Sequence, residues 1–177
     1  DFKVLDVEAD GGKIGEGEWW NRLEPMRFGR RLGVCPSNHE VEEDNAVVVK
    51  LDPGLAFGTG THATTHLCLS WLDDHIKPNQ SVMDFGCGSG ILGIAALLLG
   101  AGKVAAIDND QQAVNATVEN AKRNDVASKI LPELPRSAYN DTYAVIIANT
   151  LAHPSLDLSG KPTNLMNSAA PDSYYHL

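Results

Sequence analysis

The sequence predicts an α/β fold built on a doubly wound parallel sheet, and three observations carry that prediction. From residue 81 onward, strand and helix patterns alternate, as they do where crossover helices connect parallel strands. A glycine-rich turn, Gly86-Cys87-Gly88-Ser89-Gly90, joins one of those strands to the next helix. Tyr143-Ala144-Val145-Ile146-Ile147-Ala148 is a near-continuous apolar run, the pattern of a central parallel strand covered on both faces.

Taken in order, residues 17–24 read as a short helix, with Trp19, Trp20 and Leu23 apolar and Pro25 as its stop. Residues 32–35 and 46–51 read as strands, the second carrying the β-branched run Val47-Val48-Val49. A helix is expected over 61–76, with Leu67, Leu69, Trp71, Leu72 and Ile76 giving it apolar faces, and a strand over 81–85. The helix after the glycine turn carries Ile91, Ala95 and Leu98 on one stripe, with Leu92, Ala96 and Leu99 beside it, and Gly100 and Gly102 end it. A strand over 104–107 and a helix over 111–124 follow, the helix with Val114, Val118 and Ala121 at i, i+4, i+7; residues 129–131 suit a minor strand. Residues 151–177 carry Pro154, Pro162 and Pro171 among Ser, Asn and Gly and show no apolar period, so the tail reads as irregular. On this reading the sheet is incomplete at its C-terminal side and the strand over 143–148 lacks a neighbour. A chain of that kind should be marginally stable and aggregation-prone.

Bulk properties narrow the function. A chain of 177 residues is about one domain. Its apolar fraction of 43% and charged fraction of 21% are ordinary for a globular fold. No stretch has the apolar length of a membrane helix, and no export leader is visible. Cys35, Cys68 and Cys87 lack pairing or metal spacing, which suits a reducing, cytoplasmic compartment. A formal charge of −9 argues against a phosphate-gripping surface and is compatible with a basic protein partner, though a solvated acidic surface explains it equally well.

The chemistry sits at the glycine turn. Gly86, Gly88 and Gly90 follow the strand that ends Val82-Met83-Asp84-Phe85, where glycine lets a ligand lie against the main chain. Asp108 ends the next strand, in Ile107-Asp108-Asn109-Asp110, about 20 residues past the turn, where a carboxylate accepts the hydroxyls of a ribose. Gly88, Gly90 and Gly93 satisfy a dinucleotide spacing, so an NAD-dependent oxidoreductase is one reading. That register, however, puts its third glycine inside the helix, and the better one begins at Gly86, where the third position is Ile91. Asp84, an acid at the tip of a buried strand, suits a ligand with an ammonium group, which S-adenosylmethionine has and NAD lacks. The residues therefore favour S-adenosylmethionine, bound by Asp84, Gly86, Gly88 and Asp108. In this register Gly86→Val should damage binding more than Gly93→Val.

Further residues resemble one family, the methyltransferases of large-subunit ribosomal protein L11. The resemblance rests on Leu51-Asp52-Pro53-Gly54-Leu55-Ala56-Phe57-Gly58-Thr59-Gly60-Thr61-His62 with Thr64-Thr65, then on residues 84–92 and Ile107-Asp108, and earlier on Pro25-Met26-Arg27-Phe28-Gly29. It covers roughly residues 18–152 and implies a class I methyltransferase fold, with cofactor contacts at Thr65, Gly86, Asp108 and Asn149. It implies methyl transfer from S-adenosylmethionine to lysine side chains and the N-terminal amine of a basic ribosomal protein. No nucleic acid or membrane partner is implied. On the same basis, residues 1–30 read as a linker helix and the connection to a substrate-recognition domain. Residues 31–152 then form the cofactor-binding domain, and 153–177 the irregular tail. After Ala152 the sequence leaves the family pattern, so an inactive cofactor-binding fragment is a further reading. Asn149, at the end of the central strand, falls where an open α/β sheet exposes its crevice, and its side-chain carbonyl suits orientation of the incoming amine.

Other features read more plainly. His62 and His66 are four apart, but residue 63 is Ala and no third ligand is evident, so no metal is assigned. Trp19 and Trp20 read as anchors of a linker helix, and Cys87 as a small residue tolerated beside a ligand. Asp73-Asp74 and Glu42-Glu43-Asp44 read as solvated charge.

Overall fold

Two sheets organise the described residues, which in this computed structural model are 25–36, 44–51, 63–135, 142–149 and 174–175. The smaller sheet contains β1 (Met26–Phe28), β2 (Leu32–Cys35) and β3 (Val47–Lys50), in that order, with β1 antiparallel and β3 parallel to β2. The chain continues through α1 (Ala63–His75), β4 (Ser81–Phe85), α2 (Ile91–Leu98), β5 (Lys103–Ile107), α3 (Gln111–Arg123), β6 (Ile130–Glu133), β7 (Val145–Ala148) and β8 (Tyr174–Tyr175). The larger sheet has the order β6-β5-β4-β7-β8 and is parallel throughout. From β4 the chain steps outward to β5 and β6, then returns to the other side of β4 for β7. Such a reversal opens a crevice at the carboxyl ends of the two central strands, here beyond Phe85 and Ala148.

The strand and helix assignments made from the pattern hold to within a few residues, with two exceptions. Met26–Phe28 lies in the stretch expected to be a connection, yet it pairs with β2, and Phe28 is 1% exposed. The tail, expected to be irregular and to leave the central strand without a neighbour, contributes β8, whose two residues pair with Ile146 and Ile147 of β7. The expected helix over 17–24, Trp19 and Trp20 lie outside the described residues.

Packing follows strand alternation. Val82, Val104, Ala106, Val145 and Ile147 share a core with apolar residues of all three helices and with Phe28, Leu32, Val34 and Val49 of the small sheet. Helix α2 is buried at every position from Ile91 to Leu97, because both sheets and both other helices touch it; its sequence is accordingly apolar all round. The opposite sheet face carries Met83, Ala105 and Ile107, packed with Tyr143. Among the described residues no helix is long and apolar enough to cross a membrane.

Two polar devices fasten the small sheet to the larger unit. Asn124, which ends α3, accepts from Lys50 N at 2.8 Å through Oδ1 and donates to Lys50 O at 2.7 Å through Nδ2, so its amide pairs with β3 as a strand would. Asp73 on α1 is the second, and it corrects the expectation of solvated charge, for it is only 6% exposed. Its Oδ2 accepts the main-chain N–H groups of Arg30 and, at 2.8 Å, Arg31, while Oδ1 accepts Arg31 Nε at 3.2 Å. The β1–β2 turn thus closes around a carboxylate, and a side chain at Gly29 would collide with it, 2.6 Å from Oδ2. Asp74 beside it is exposed and meets Arg30 at 3.5 Å.

Burial raises the Asp73 carboxyl, but the two main-chain N–H groups and the Arg31 guanidinium outweigh it and hold the group below its ordinary value of 3.8. A depressed folded value means that its stabilisation is complete above the unfolded value and is lost as pH falls through the folded one. Asp73→Ala is expected to cost about 1.5–3 kcal/mol at neutral pH, the range for hydrogen bonds to a charged group, and to flatten the loss of stability below pH 3.8. Urea unfolding of parent and variant across pH measures both; a cost under about 0.5 kcal/mol, typical of a surface change, would show that the turn does not depend on Asp73.

Candidate functional site

The turn between β4 and α2 is held by its neighbours. Gly86 N and Cys87 N both donate to Ile107 O, at 2.7 and 3.0 Å, which ties the turn to the end of β5. Gly86, Gly88 and Gly90 have φ of 77°, 54° and 80°, a left-handed conformation that a side chain would oppose. Gly90 N donates to Cys87 O at 2.7 Å, and Gly90 caps α2. Asp108, half-buried at the end of β5, accepts Gly88 N on Oδ2 at 2.9 Å and Asp110 N on Oδ1 at 3.0 Å. Asp110 in turn caps α3, its carboxylate accepting Gln112 N at 2.8 Å.

Asp84 is placed differently from the expectation of an acid facing a ligand. Its side chain is fully buried; Oδ2 accepts Gly93 N at 2.9 Å, and Oδ1 has no partner among the described residues. Burial pushes this carboxyl up to about 7, against the lowering effect of the Gly93 N–H, and the charge of Asp108 adds to the rise. Gly93 itself is where α2 meets the sheet, for a Cβ there would lie 2.9 Å from Val104 Cγ1 and 3.3 Å from Asp84 Oδ2. The expected ordering of Gly86→Val above Gly93→Val therefore meets a second effect of Gly93→Val. That substitution disrupts helix–strand packing, so it does not discriminate between the two glycine registers.

Asn149 and Thr65, 84 positions apart, meet at the end of β7: Asn149 Nδ2 donates to Thr65 Oγ1 at 2.9 Å. Thr65 is buried near the start of α1, and Asn149 is half-buried. The contact occupies one of the two amide N–H groups, and the carbonyl oxygen is the acceptor Asn149 can offer to a donor. The structure thus gathers Asp84, Gly86, Gly88 and Asp108 at the turn, and joins Thr65 to Asn149 at the end of the strand beside β4. Sequence reasoning missed Thr117 and Asn120 of α3, which contact the turn from 29 and 31 positions away.

Cys87 is buried within the turn. Burial, followed by the charge of Asp84, pushes its thiol up to about 12, and its sulfur lies 3.4 Å from Thr117 Oγ1. His66 stands edge-on to Phe28, ring centroids 4.9 Å apart. His62 and the motif over 52–62 lie outside the described residues, as do Glu42 and Glu43.

Comparison with known proteins gives consistent results. A family model described as ribosomal protein L11 methyltransferase (PrmA) matches residues 13–171. The chain is 57% identical over 159 residues to a ribosomal protein L11 methyltransferase of Photobacterium profundum, covering 89% of this chain and 53% of that protein. It is 53% identical over 154 residues to the one of Escherichia coli O8, covering 86% and 53%. The chain spans about half the length of these curated relatives. The crystal structure of a ribosomal protein L11 methylase from Lactobacillus delbrueckii subsp. bulgaricus aligns with a TM-score of 0.69 at 33% identity, covering 85% of this chain and 77% of that one.

The buried Asp84 gives the site a pH signature opposite in sign to that of Asp73. Its folded value of about 7 exceeds the ordinary 3.8, so its contribution is complete below 3.8 and declines as pH rises toward 7. Asp84→Asn keeps an acceptor for Gly93 N and carries no proton to lose. The variant is expected to lack the decline in stability between pH 4 and 7 that this carboxyl imposes on the parent, as read by thermal melting. Identical pH profiles for parent and variant would contradict the buried, proton-binding carboxyl.

Proposed function

This chain belongs to the ribosomal protein L11 methyltransferase family, and on that premise we propose that it binds S-adenosylmethionine at the glycine turn and serves methyl transfer to amino groups of ribosomal protein L11. When bound, S-adenosylmethionine supplies a methyl group already activated on a sulfonium, so the reaction asks the protein for alignment and exclusion of water rather than for a nucleophile. The observation that carries the reading is the convergence of Asp108 on the turn, with Gly88 N on its Oδ2 at 2.9 Å, beside the paired Asn149 and Thr65.

The donor set fits the cofactor. Each oxygen of Asp108 takes one main-chain N–H, which leaves each a further lone pair for a ribose hydroxyl. Gly86 and Gly88 let the ligand lie against the main chain. Asp84 acts from beneath, fixing the start of α2 through Gly93 N rather than reaching the ligand. Asn149 is the residue we assign to the incoming amine. Thr65 holds its Nδ2, so Oδ1 accepts from the nitrogen and orients it. Burial of Thr65 beneath this contact limits the amide's rotation.

This unit takes in β1 and β8 as well as residues 31–152, since both pair into its sheets. The remaining length of the relatives is where capture of the ribosomal protein belongs. A basic substrate suits the formal charge of −9, and a ribosomal substrate suits an enzyme of the cytoplasm.

Asp108→Ala is expected to weaken S-adenosylmethionine binding about 10- to 150-fold, equivalent to about 1.5–3 kcal/mol for hydrogen bonds to a carboxylate. Unchanged affinity would remove the ribose assignment. Transfer of labelled methyl from S-adenosylmethionine to purified ribosomal protein L11, by a protein of the relatives' full length carrying this chain, tests the activity. Asn149→Ala should lower kcat far more than it raises KM for the cofactor. No transfer by the parent protein would refute the proposed substrate.

A further inference from the structure

Helix α3 touches the backbone of the glycine turn itself. Thr117 is fully buried, and its hydroxyl donates to Gly88 O at 3.2 Å. Asn120, 2% exposed, donates Nδ2 to Ser89 O at 2.8 Å, while its Oδ1 accepts Arg123 Nη1 at 2.9 Å. At Gly90 there is no room for a side chain, because a Cβ would lie 2.8 Å from both Thr117 Cγ2 and Oγ1. A planar trans peptide directs its C=O and N–H oppositely. A bond that draws Gly88 O toward α3 therefore aims the Ser89 N–H away from it, and the bond on Ser89 O aims the Gly90 N–H away, where it meets Cys87 O at 2.7 Å. Peptides flanked by glycine are otherwise the ones most free to rotate.

We infer that Thr117 and Asn120 are positioning residues for cofactor binding: they lock the two peptides after Gly88 in the orientation that the ligand meets. The inference rests on the proposed S-adenosylmethionine site for its consequence, but not for its geometry. Neither residue touches the reacting atoms. Both sit on the buried side of α3, three positions apart, with the Thr117 hydroxyl and the Asn120 Nδ2 group directed at the turn.

The test uses Thr117→Val, which keeps shape and removes the hydroxyl, Thr117→Ser, which restores it, and Asn120→Ala. S-adenosylhomocysteine affinity is measured by calorimetry, and amide hydrogen exchange over residues 86–90 is measured without ligand. Thr117→Val and Asn120→Ala are each expected to weaken binding about tenfold, the equivalent of one hydrogen bond to a buried carbonyl, and to speed exchange in the turn more than in the strands of the sheet, while the fold measured by circular dichroism is kept. Thr117→Ser should bind within about twofold of the parent. Turn exchange and affinity unchanged in Thr117→Val and Asn120→Ala would overturn the inference, as would a serine variant as weak as the valine one, which would assign the effect to packing. If the parent itself fails to bind S-adenosylhomocysteine, the cofactor reading fails; the exchange data then decide alone whether the two residues lock the turn.

Discussion

The structure depends on how the backbone between Phe85 and Ile91 is satisfied. A turn rich in glycine has little conformational preference of its own, so its shape must come from partners elsewhere in the chain. Ile107 O takes two of its N–H groups, Asp108 a third, and α3 reaches in to take the carbonyls of Gly88 and Ser89. Those partners arrive with β5 and α3. The turn is consequently a product of the completed sheet rather than of its own sequence. The same contacts explain why α3 is amphipathic in an unusual way, with Thr117 and Asn120 on the buried side beside Ala113, Val114 and Ala121.

Two acids show how context assigns opposite roles to one side chain. Asp73 is buried against two main-chain N–H groups and a guanidinium, which keep it ionised and make it a fastener for the β1–β2 turn. Asp84 is buried with a single N–H and the charge of Asp108 nearby, and burial raises its carboxyl to about 7. The first stabilises as a charge, whereas the second is tolerated through its readiness to take a proton. Asp84 thereby links the strand to α2, the turn to the helix, and the site's geometry to pH.

Much of this was legible in the sequence, because hydrophobic period and glycine placement are local signals. The strands at 81–85 and 145–148, the helix at 111–123 and the candidate ligand residues Gly86, Gly88 and Asp108 all follow from neighbours within a few positions. What escaped was what depends on distant partners. Asp73 looks like surface charge until Arg31, 42 positions away, closes on it. Thr117 and Asn120 look like ordinary helix surface until the turn is seen beneath them. Gly93 reads from the sequence only as a glycine inside the helix, because nothing local reveals that Val104 Cγ1 stands 2.9 Å from where its Cβ would be. β8 is two residues long, too short for any period to register. The meeting of Thr65 with Asn149 spans 84 positions, and family resemblance named the two residues but not their contact.

The central claim is that this turn, with Asp108 beside it, is shaped for S-adenosylmethionine and not for a dinucleotide. Titration calorimetry of the chain with S-adenosylmethionine and, separately, with NAD tests it most directly. The account predicts saturable one-to-one binding of S-adenosylmethionine that Asp108→Ala weakens, and no measurable heat with NAD. Binding of NAD in preference to S-adenosylmethionine would contradict it.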